Sequence, residues 1–283
     1  MVLDLTNRWG RLAVLSGASA AVSLGGLAGC GAFPTVDEAR VIEADHRPGA
    51  ALDVATRNGR IQVRRSDVDA VVITARLRAR TQERLDATRI IAEHDESGAL
   101  AIRVLWPDGR RFGNEGCSFE IETPGADGVR LDASNGSLSV TGLSGRAWLD
   151  TSNGSITVRD HDGPVIADTS NGAVRVTNAT GPVEIDTSNG GVSVALAPGA
   201  TGPVRVDTSN GGVRLTLPES FTGELVLDTS NGRVSFESAP SLRAVSAGRR
   251  HARLVLGDGG ETSVVTTSNG SIGVGFVENP GEE

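Results

Sequence analysis

A nine-residue phrase, D-T-S-N-G-x-V-x-V, runs through the second half of this chain and leaves it few ways to fold. It opens as Asp132-Ala133-Ser134-Asn135-Gly136, continues as Asp150-Thr151-Ser152-Asn153-Gly154, and returns from Asp168, Asp186, Asp207 and Asp228. A last copy reads Thr266-Thr267-Ser268-Asn269-Gly270. Self-similarity at a fixed period marks a repeat architecture. The asparagines are 18, 18, 18, 21, 21 and 38 residues apart, and the last gap, about two periods, predicts a degenerate copy near Val245-Ser246-Ala247-Gly248. Val192 and Val194 follow one Asn-Gly, and Val204 and Val206 follow Gly202-Pro203. Each pair alternates with the period of two of a strand buried on one side. A unit is therefore strand, turn, strand, turn.

Two folds fit that unit. Asn-Gly between alternating strands is a strong hairpin signal, because both residues tolerate positive φ, so an all-β antiparallel meander or sandwich is the alternative. The preferred reading is an all-β flattened β-solenoid of coils of 18–21 residues, with Asn189 over Asn171 and Val192 over Val174. Stacking like on like explains why turn letters repeat verbatim, since Asn, Ser and Thr can hydrogen-bond to their own copies one rung away.

The chain divides accordingly. Residues 1–30 read as an export signal: Arg8 and Arg11, an apolar stretch from Leu12 to Leu27 too short and small for a span, then Leu27-Ala28-Gly29-Cys30. That tetrad resembles the bacterial lipoprotein box, which implies cleavage before Cys30 and acylation of its thiol. An acylated Cys30 would hold the protein on a membrane. Gly31, not Asp, follows it, which by the same resemblance implies the outer membrane in a Gram-negative cell. Residues 31–40 read as a tether within a polar stretch from Pro34 to Pro48, 41–123 as a β-rich cap with one short helix, 124–277 as the solenoid, and 278–283 as a tail.

Composition narrows the chemistry. All 27 basic residues are arginine, which excludes Schiff bases and P-loops, and the net charge of −8 argues against nucleic acid. Arginines outnumber carboxylates 12 to 8 from Arg57 to Arg111. Arg64, Arg76, Arg78 and Arg80 alternate there as a solvated strand face would, with anionic headgroups as the second reading. Cys117 is the only other cysteine and reads as a small buried apolar residue.

In the first half, Asp53 to Val63, with Asn58-Gly59, is a diverged copy of the phrase. Strands are predicted at Ala70–Ala79, Ala99–Trp106 and Cys117–Pro124, with a helix from Thr81 to Thr88 capped by Thr81. This early Asn-Gly-x-Ile-x-Val, the strand pair joined by a helix, the Phe119-Glu120-Ile121 strand and the train of D-T-S-N-G phrases resemble the DUF4097 family of bacterial exported proteins, often labelled adhesins. The resemblance spans roughly residues 41–277. It implies a surface or periplasmic β-solenoid with roles in adhesion or envelope stress, and no catalytic residues.

Stacked coils would bring Asp132, Asp150, Asp168, Asp186, Asp207 and Asp228 into one column at about 4.8 Å spacing. Calcium bound by that ladder is one way to offset the repulsion; the preferred reading is that each Asp caps its own turn. Strand alternation names two outward rows: Ser139, Thr157, Arg175, Ser193, Arg214 and Ser235 on one face, and Arg130, Trp148, Ile166, Glu184, Arg205 and Val226 on the other. Trp148 beside Ile166 is the candidate ligand or partner contact. His46, His94, His161 and His251 have no metal-ligand spacing, and no nucleophile elbow occurs. The expectation is a non-enzymatic, lipid-anchored envelope protein with a structural or adhesive role, binding an envelope polysaccharide or protein. A periplasmic stress-response module is the alternative, and a polysaccharide-active β-helix enzyme ranks third.

Overall fold

The computed structural model describes residues 35–277, so the signal segment, Cys30 and the 278–283 tail lie outside the described residues. Each repeat delivers one strand to each of two sheets. Strands ending in the D-T-S-N letters, such as Val165–Asn171, Val183–Asn189 and Val204–Asn210, line up in a 12-stranded sheet. Those following the glycine, such as Ile156–His161, Val174–Ala179 and Val192–Leu196, line up in an 11-stranded sheet. Neighbours run parallel with like letters paired: Val174 with Val192, Val165 with Val183, Asn171 with Asn189. The repeat region is therefore a β-solenoid and not a meander.

The valines, threonines and glycines of the phrase each have a separate physical job. Val165 and Ala167 of one sheet, and Val174 and Val176 of the other, point inward and are at most 1 % exposed. Each such valine contributes about 1.5 kcal/mol or more of burial energy. The threonine also points inward, but its hydroxyl is satisfied: Thr151, Thr169, Thr187 and Thr208 donate to the glycine carbonyls of Gly136, Gly154, Gly172 and Gly190 at 3.1–3.4 Å. One bond thus meets the needs of a buried donor and of a turn acceptor. The glycine is fixed by close approach. A Cβ at Gly136, Gly154, Gly172, Gly190 or Gly211 would lie 1.8–2.0 Å from the carbonyl oxygen of the glycine one rung away. Positive φ, the reason Asn-Gly suggests hairpins, is found at none of these five.

Chain order and spatial order part company at the C-terminal end. Thr262–Thr267 lies parallel between Val204–Asn210 and Gly223–Thr229, and Ile272–Val277 lies likewise between Val213–Pro218 and Val234–Phe236. The last repeat is thus inserted ahead of the one that precedes it in sequence. The degenerate coil expected near Val245–Gly248 is absent. Leu242–Ala247 instead pairs antiparallel with His251–Leu256, and this hairpin covers the outer edge of Gly223–Thr229, which would otherwise present unpaired amides.

At the other end, Val71–Ala79 and Gly116–Thr123 extend one sheet, while Leu100–Leu105 and Arg89–His94 extend the other. The segment read as a tether is a strand from residue 36: Val36–Ala44 pairs antiparallel with Val71–Ala79 along its whole length. Its polar letters hide an alternation that places Val36, Ile42 and Ala44 against the core. Arg89–His94 has no clean alternation to announce it. The helix, Gln82–Ala87, starts at Thr81, whose hydroxyl accepts the Arg84 amide at 3.3 Å, and buries Leu85. Arg40 donates to the Leu85 and Thr88 carbonyls at its C-terminal end, adding to the bond that the Thr88 amide makes to the Leu85 carbonyl.

His161 closes a turn of the solenoid. It is 1 % exposed, its Nε2 lies 2.8 Å from the Gly145 carbonyl, and its Nδ1 has no partner. Burial pushes its pKa down, against smaller upward effects of that carbonyl and Asp162. The folded protein therefore takes up this proton less readily than the unfolded chain. The sign follows: stability is lost as the pH falls below about 6.5, the unfolded value, towards the depressed folded one. His161→Gln is expected to flatten the slope of unfolding free energy against pH between about 7 and 5, by at most about 1.4 kcal/mol per pH unit. Urea titrations of both proteins at three pH values measure it, and identical slopes would reject the assignment.

Candidate functional site

Outward side chains of the 12-stranded sheet form straight rows, because parallel pairing in register repeats every position at the rung spacing of about 4.8 Å. The first row runs Arg130, Trp148, Ile166, Glu184, Arg205, then Val264, then Val226. Val264 enters it only because the last repeat is inserted. Trp148 and Ile166 are half-buried neighbours, and the Arg130 guanidinium stacks on the indole, its Cζ 3.9 Å from the ring centroid. One face of the indole is therefore occupied by a cation. On the opposite sheet the row Ser139, Thr157, Arg175, Ser193, Arg214 continues through Gly273 to Ser235.

Two residues further along each strand lies the acidic row. Asp132, Asp150, Asp168, Asp186 and Asp207 stand in register. Asp228 does not join them, since Thr266 separates it from Asp207; its carboxylate faces His251 Nδ1 at 3.3 Å instead. These aspartates sit within strands and do not cap their turns. The donors that would have capped them are used elsewhere, for each asparagine amide reaches the asparagine one rung away. Asn135 donates to Asn58, Asn153 to Asn135, Asn171 to Asn153, Asn189 to Asn171 and Asn210 to Asn189, all at 2.9–3.0 Å. Asn269 donates to Asn210 and Asn231 to Asn269 in the same way. The ladder has one direction because Asn58 Nδ2 faces two carbonyls, Gly113 and Glu115, which turns its Oδ1 towards Asn135.

Burial, then the charges of Asp168 and Asp132, raise the pKa of Asp150, with Arg130 opposing; burial, Asp168 and Asp207 raise that of Asp186. Stability contributed by their protonated forms is lost as the pH rises through the folded values, so at neutral pH the row costs energy. Asp168 has a like charge on either side, each repelling it by about 1 kcal/mol in water-like surroundings. Asp168→Asn is accordingly expected to raise the unfolding free energy by about 2 kcal/mol at low ionic strength, an advantage that shrinks towards zero in 1 M salt. Thermal melts at two salt concentrations check it; a destabilised variant would mean that the carboxylate has a favourable partner.

Among the described residues no group of three or more His, Cys, Asp or Glu is placed to hold a metal ion. A straight row offers an ion two carboxylates at most from one side, so the alternative reading of a calcium ladder finds no cage among the described residues. The arginine-rich strands of the first half are a solvated face neutralised across strands: Arg60 and Arg76 pair with Glu120, Arg64 with Glu122, and Arg78 with Asp37. Cys117 is buried, and burial pushes its thiol up to about 12, out of the reactive range.

The geometry defines a class, a two-sheet parallel β-solenoid with antiparallel strands at its N-terminal end and an antiparallel hairpin on the 12-stranded sheet at its C-terminal end. A family model described as a domain of unknown function, DUF7330, matches residues 179–279, a different label from the one the motifs resemble. No curated protein sequence matches the chain. Among solved structures, the chain is similar to a provisionally named cell adhesion protein from Clostridium sporogenes at 12% identity and a TM-score of 0.34, covering 86% of this chain and 100% of that one. It is also similar to a provisionally named adhesin from Bacteroides fragilis, at 10% identity and a TM-score of 0.46, covering 85% and 97%. A provisionally named lipid binding protein from Parabacteroides distasonis gives 12% identity, a TM-score of 0.24, and coverage of 83% and 96%.

Proposed function

We propose that this is an exported, non-catalytic envelope protein, anchored by lipid on Cys30, that adheres to a polymer of hydroxyl- or amine-bearing sugars along the outer face of its 12-stranded sheet. The observation that carries this reading is the row of five carboxylates beside Trp148, whose neighbouring asparagine amides are all committed to one another. Free acceptors repeated at the rung spacing suit a ligand that repeats its donors. The indole supplies an apolar platform for a sugar ring, and the same negative row disfavours polyanions at this face.

Full-length protein is tested for co-sedimentation with insoluble peptidoglycan and with chitin. Trp148→Ala and Asp150→Asn are each expected to weaken binding at least tenfold while the melting temperature stays within a few degrees. Binding unchanged in both variants, or a Trp148→Ala protein that unfolds, overturns the contact. Anchoring is read separately, by detergent phase partitioning, in which Cys30→Ser is expected to move the protein to the aqueous phase.

A further inference from the structure

At the C-terminal end of the rod, two turns distant in sequence are clamped side by side. Arg233 follows Asn231-Gly232 in the last turn of the stack, while Arg249 and Arg250 form the tip of the hairpin between Leu242–Ala247 and His251–Leu256. The tip is closed by the Gly248 amide on the His251 carbonyl at 2.8 Å. Two backbone bonds dock it onto the stack, from Val234 N–H to the Arg249 carbonyl at 2.9 Å and from Thr229 N–H to the Arg250 carbonyl at 2.8 Å. Between the two turns lies a cleft of about 700 Å³ whose lining includes Ser230, Asn231, Arg233, Arg249, Arg250 and Ser271.

No carboxylate lines this cleft, in a chain whose net charge is −8. Among the described residues none of the three arginines has an ion-pair partner, and Asp228, on the neighbouring strand, faces His251. Arg250 is aimed by a bond from Nη1 to the Ser230 carbonyl at 3.1 Å. Ser271 Oγ accepts the Arg233 amide at 3.3 Å, which leaves its own O–H free to donate. Three exposed guanidinium forks without ion-pair partners, lining one cleft with a hydroxyl donor, are the chemistry that holds a phosphate or sulfate ester. Asn231 adds the opposite polarity. Its Nδ2 is committed to Asn269 and no further asparagine lies beyond it, so its Oδ1 ends the ladder as an acceptor. A sugar hydroxyl can replace the water at this exposed acceptor while the ester group sits on the arginines.

We infer that this cleft is a binding site for a phosphorylated saccharide, with Arg233, Arg249 and Arg250 on the phosphate and Asn231 Oδ1 on a hydroxyl of the sugar. The site lies at the end of the rod, apart from the face that contains Trp148, and does not rest on the function proposed for that face.

Isothermal titration of the full chain in detergent at fixed ionic strength uses glucose 6-phosphate, inorganic phosphate, glucose, and micelles of the same detergent doped with phosphatidic acid. Glucose 6-phosphate is expected to bind, at least fivefold more tightly than inorganic phosphate, with no heat from glucose. In Arg233→Ala/Arg249→Ala, whose side chains hold nothing else together, affinity is expected to fall at least tenfold with the melting temperature unchanged. Arg233→Lys/Arg249→Lys is expected to recover only part of it, because a point charge lacks the fork. Trp148→Ala is expected to bind as tightly as the wild type, which separates failure here from failure on the sheet face. The inference is overturned if glucose 6-phosphate gives no saturable heat, if the double alanine variant binds it equally, or if only the micelles doped with phosphatidic acid bind, which would make the source a lipid headgroup.

Discussion

Gly190→Ala is expected to destabilise the protein by about 3 kcal/mol or more, while the same change at the adjacent Gly191 is expected to be neutral or slightly stabilising. A Cβ at Gly190 would sit 1.8 Å from the Gly172 carbonyl oxygen and 2.6 Å from its carbon, and both are backbone atoms of a hydrogen-bonded rung. No rotamer change relieves that contact, and separating the two rungs would stretch the Asn189–Asn171 step of the asparagine ladder and the bond from Thr187 to the Gly172 carbonyl together. Overpacking with no room to yield lies at the upper end of single-substitution effects. At Gly191 the nearest atom to the added Cβ is the Gly212 oxygen at 3.6 Å, an ordinary contact, and the backbone is not in the left-handed region. Alanine there removes freedom from the unfolded chain alone, a gain of about 0.4–1 kcal/mol. Chemical denaturation of the pair gives the answer directly. Equal losses at both positions would mean that the glycines serve chain flexibility and not close stacking.

Arg84→Met is the second large effect, about 3–5 kcal/mol of destabilisation. The Glu115 side chain is fully buried at 0 % exposure, and Arg84 reaches it with Nε at 2.7 Å and Nη2 at 3.0 Å. The Phe112 amide adds a third bond at 2.9 Å. Burial alone pushes the Glu115 carboxyl up, but the bonds from Arg84, Phe112 and Arg80 outweigh it and hold the group below the usual carboxylate range. Arg84 also stacks on the Phe112 ring, 4.6 Å from its centroid, and donates to the Arg110 carbonyl at 2.7 Å. Removing one member of a buried pair leaves an uncompensated charge, which costs more than the pair itself contributed. The signature is the pH dependence. With Arg84 gone, burial dominates and the Glu115 pKa rises above its unfolded value, so the variant regains stability as the pH falls. Glu115→Gln in the same background is expected to restore a large part of the loss at neutral pH. An Arg84→Met protein with wild-type stability would show that the Glu115 carboxylate is solvated after all.

The two predictions draw on different layers of legibility. Gly190 stands in a phrase repeated verbatim, and verbatim repetition already implied that each coil rests on its like. Thr81, the short helix and the Cys117–Pro124 strand were also readable, because capping and period-two alternation act over a few residues. The Arg84 pair was not. Glu115 lies 31 residues away in a stretch with no periodic signal, and only the fold shows that it is buried. The aspartates mark the boundary between the two. Their alignment followed from the repeat, but their freedom from the turn donors depended on where the asparagine amides point.

What the residues determined by themselves was the rung: which letters face inward and that equivalent positions stack. Those are properties of a strand and its immediate copy, and the sequence states them many times over. Only the tertiary structure decided the order in which rungs are stacked at the C-terminal end. Thr262–Thr267 can hydrogen-bond in parallel register with either neighbour, since the repeats offer nearly identical edges, and identical edges contain no information about sequence order. The insertion of the last repeat, the break it makes in the aspartate row, and the docking of the Arg249–Arg250 hairpin tip beside Arg233 all follow from that one choice, made by long-range packing.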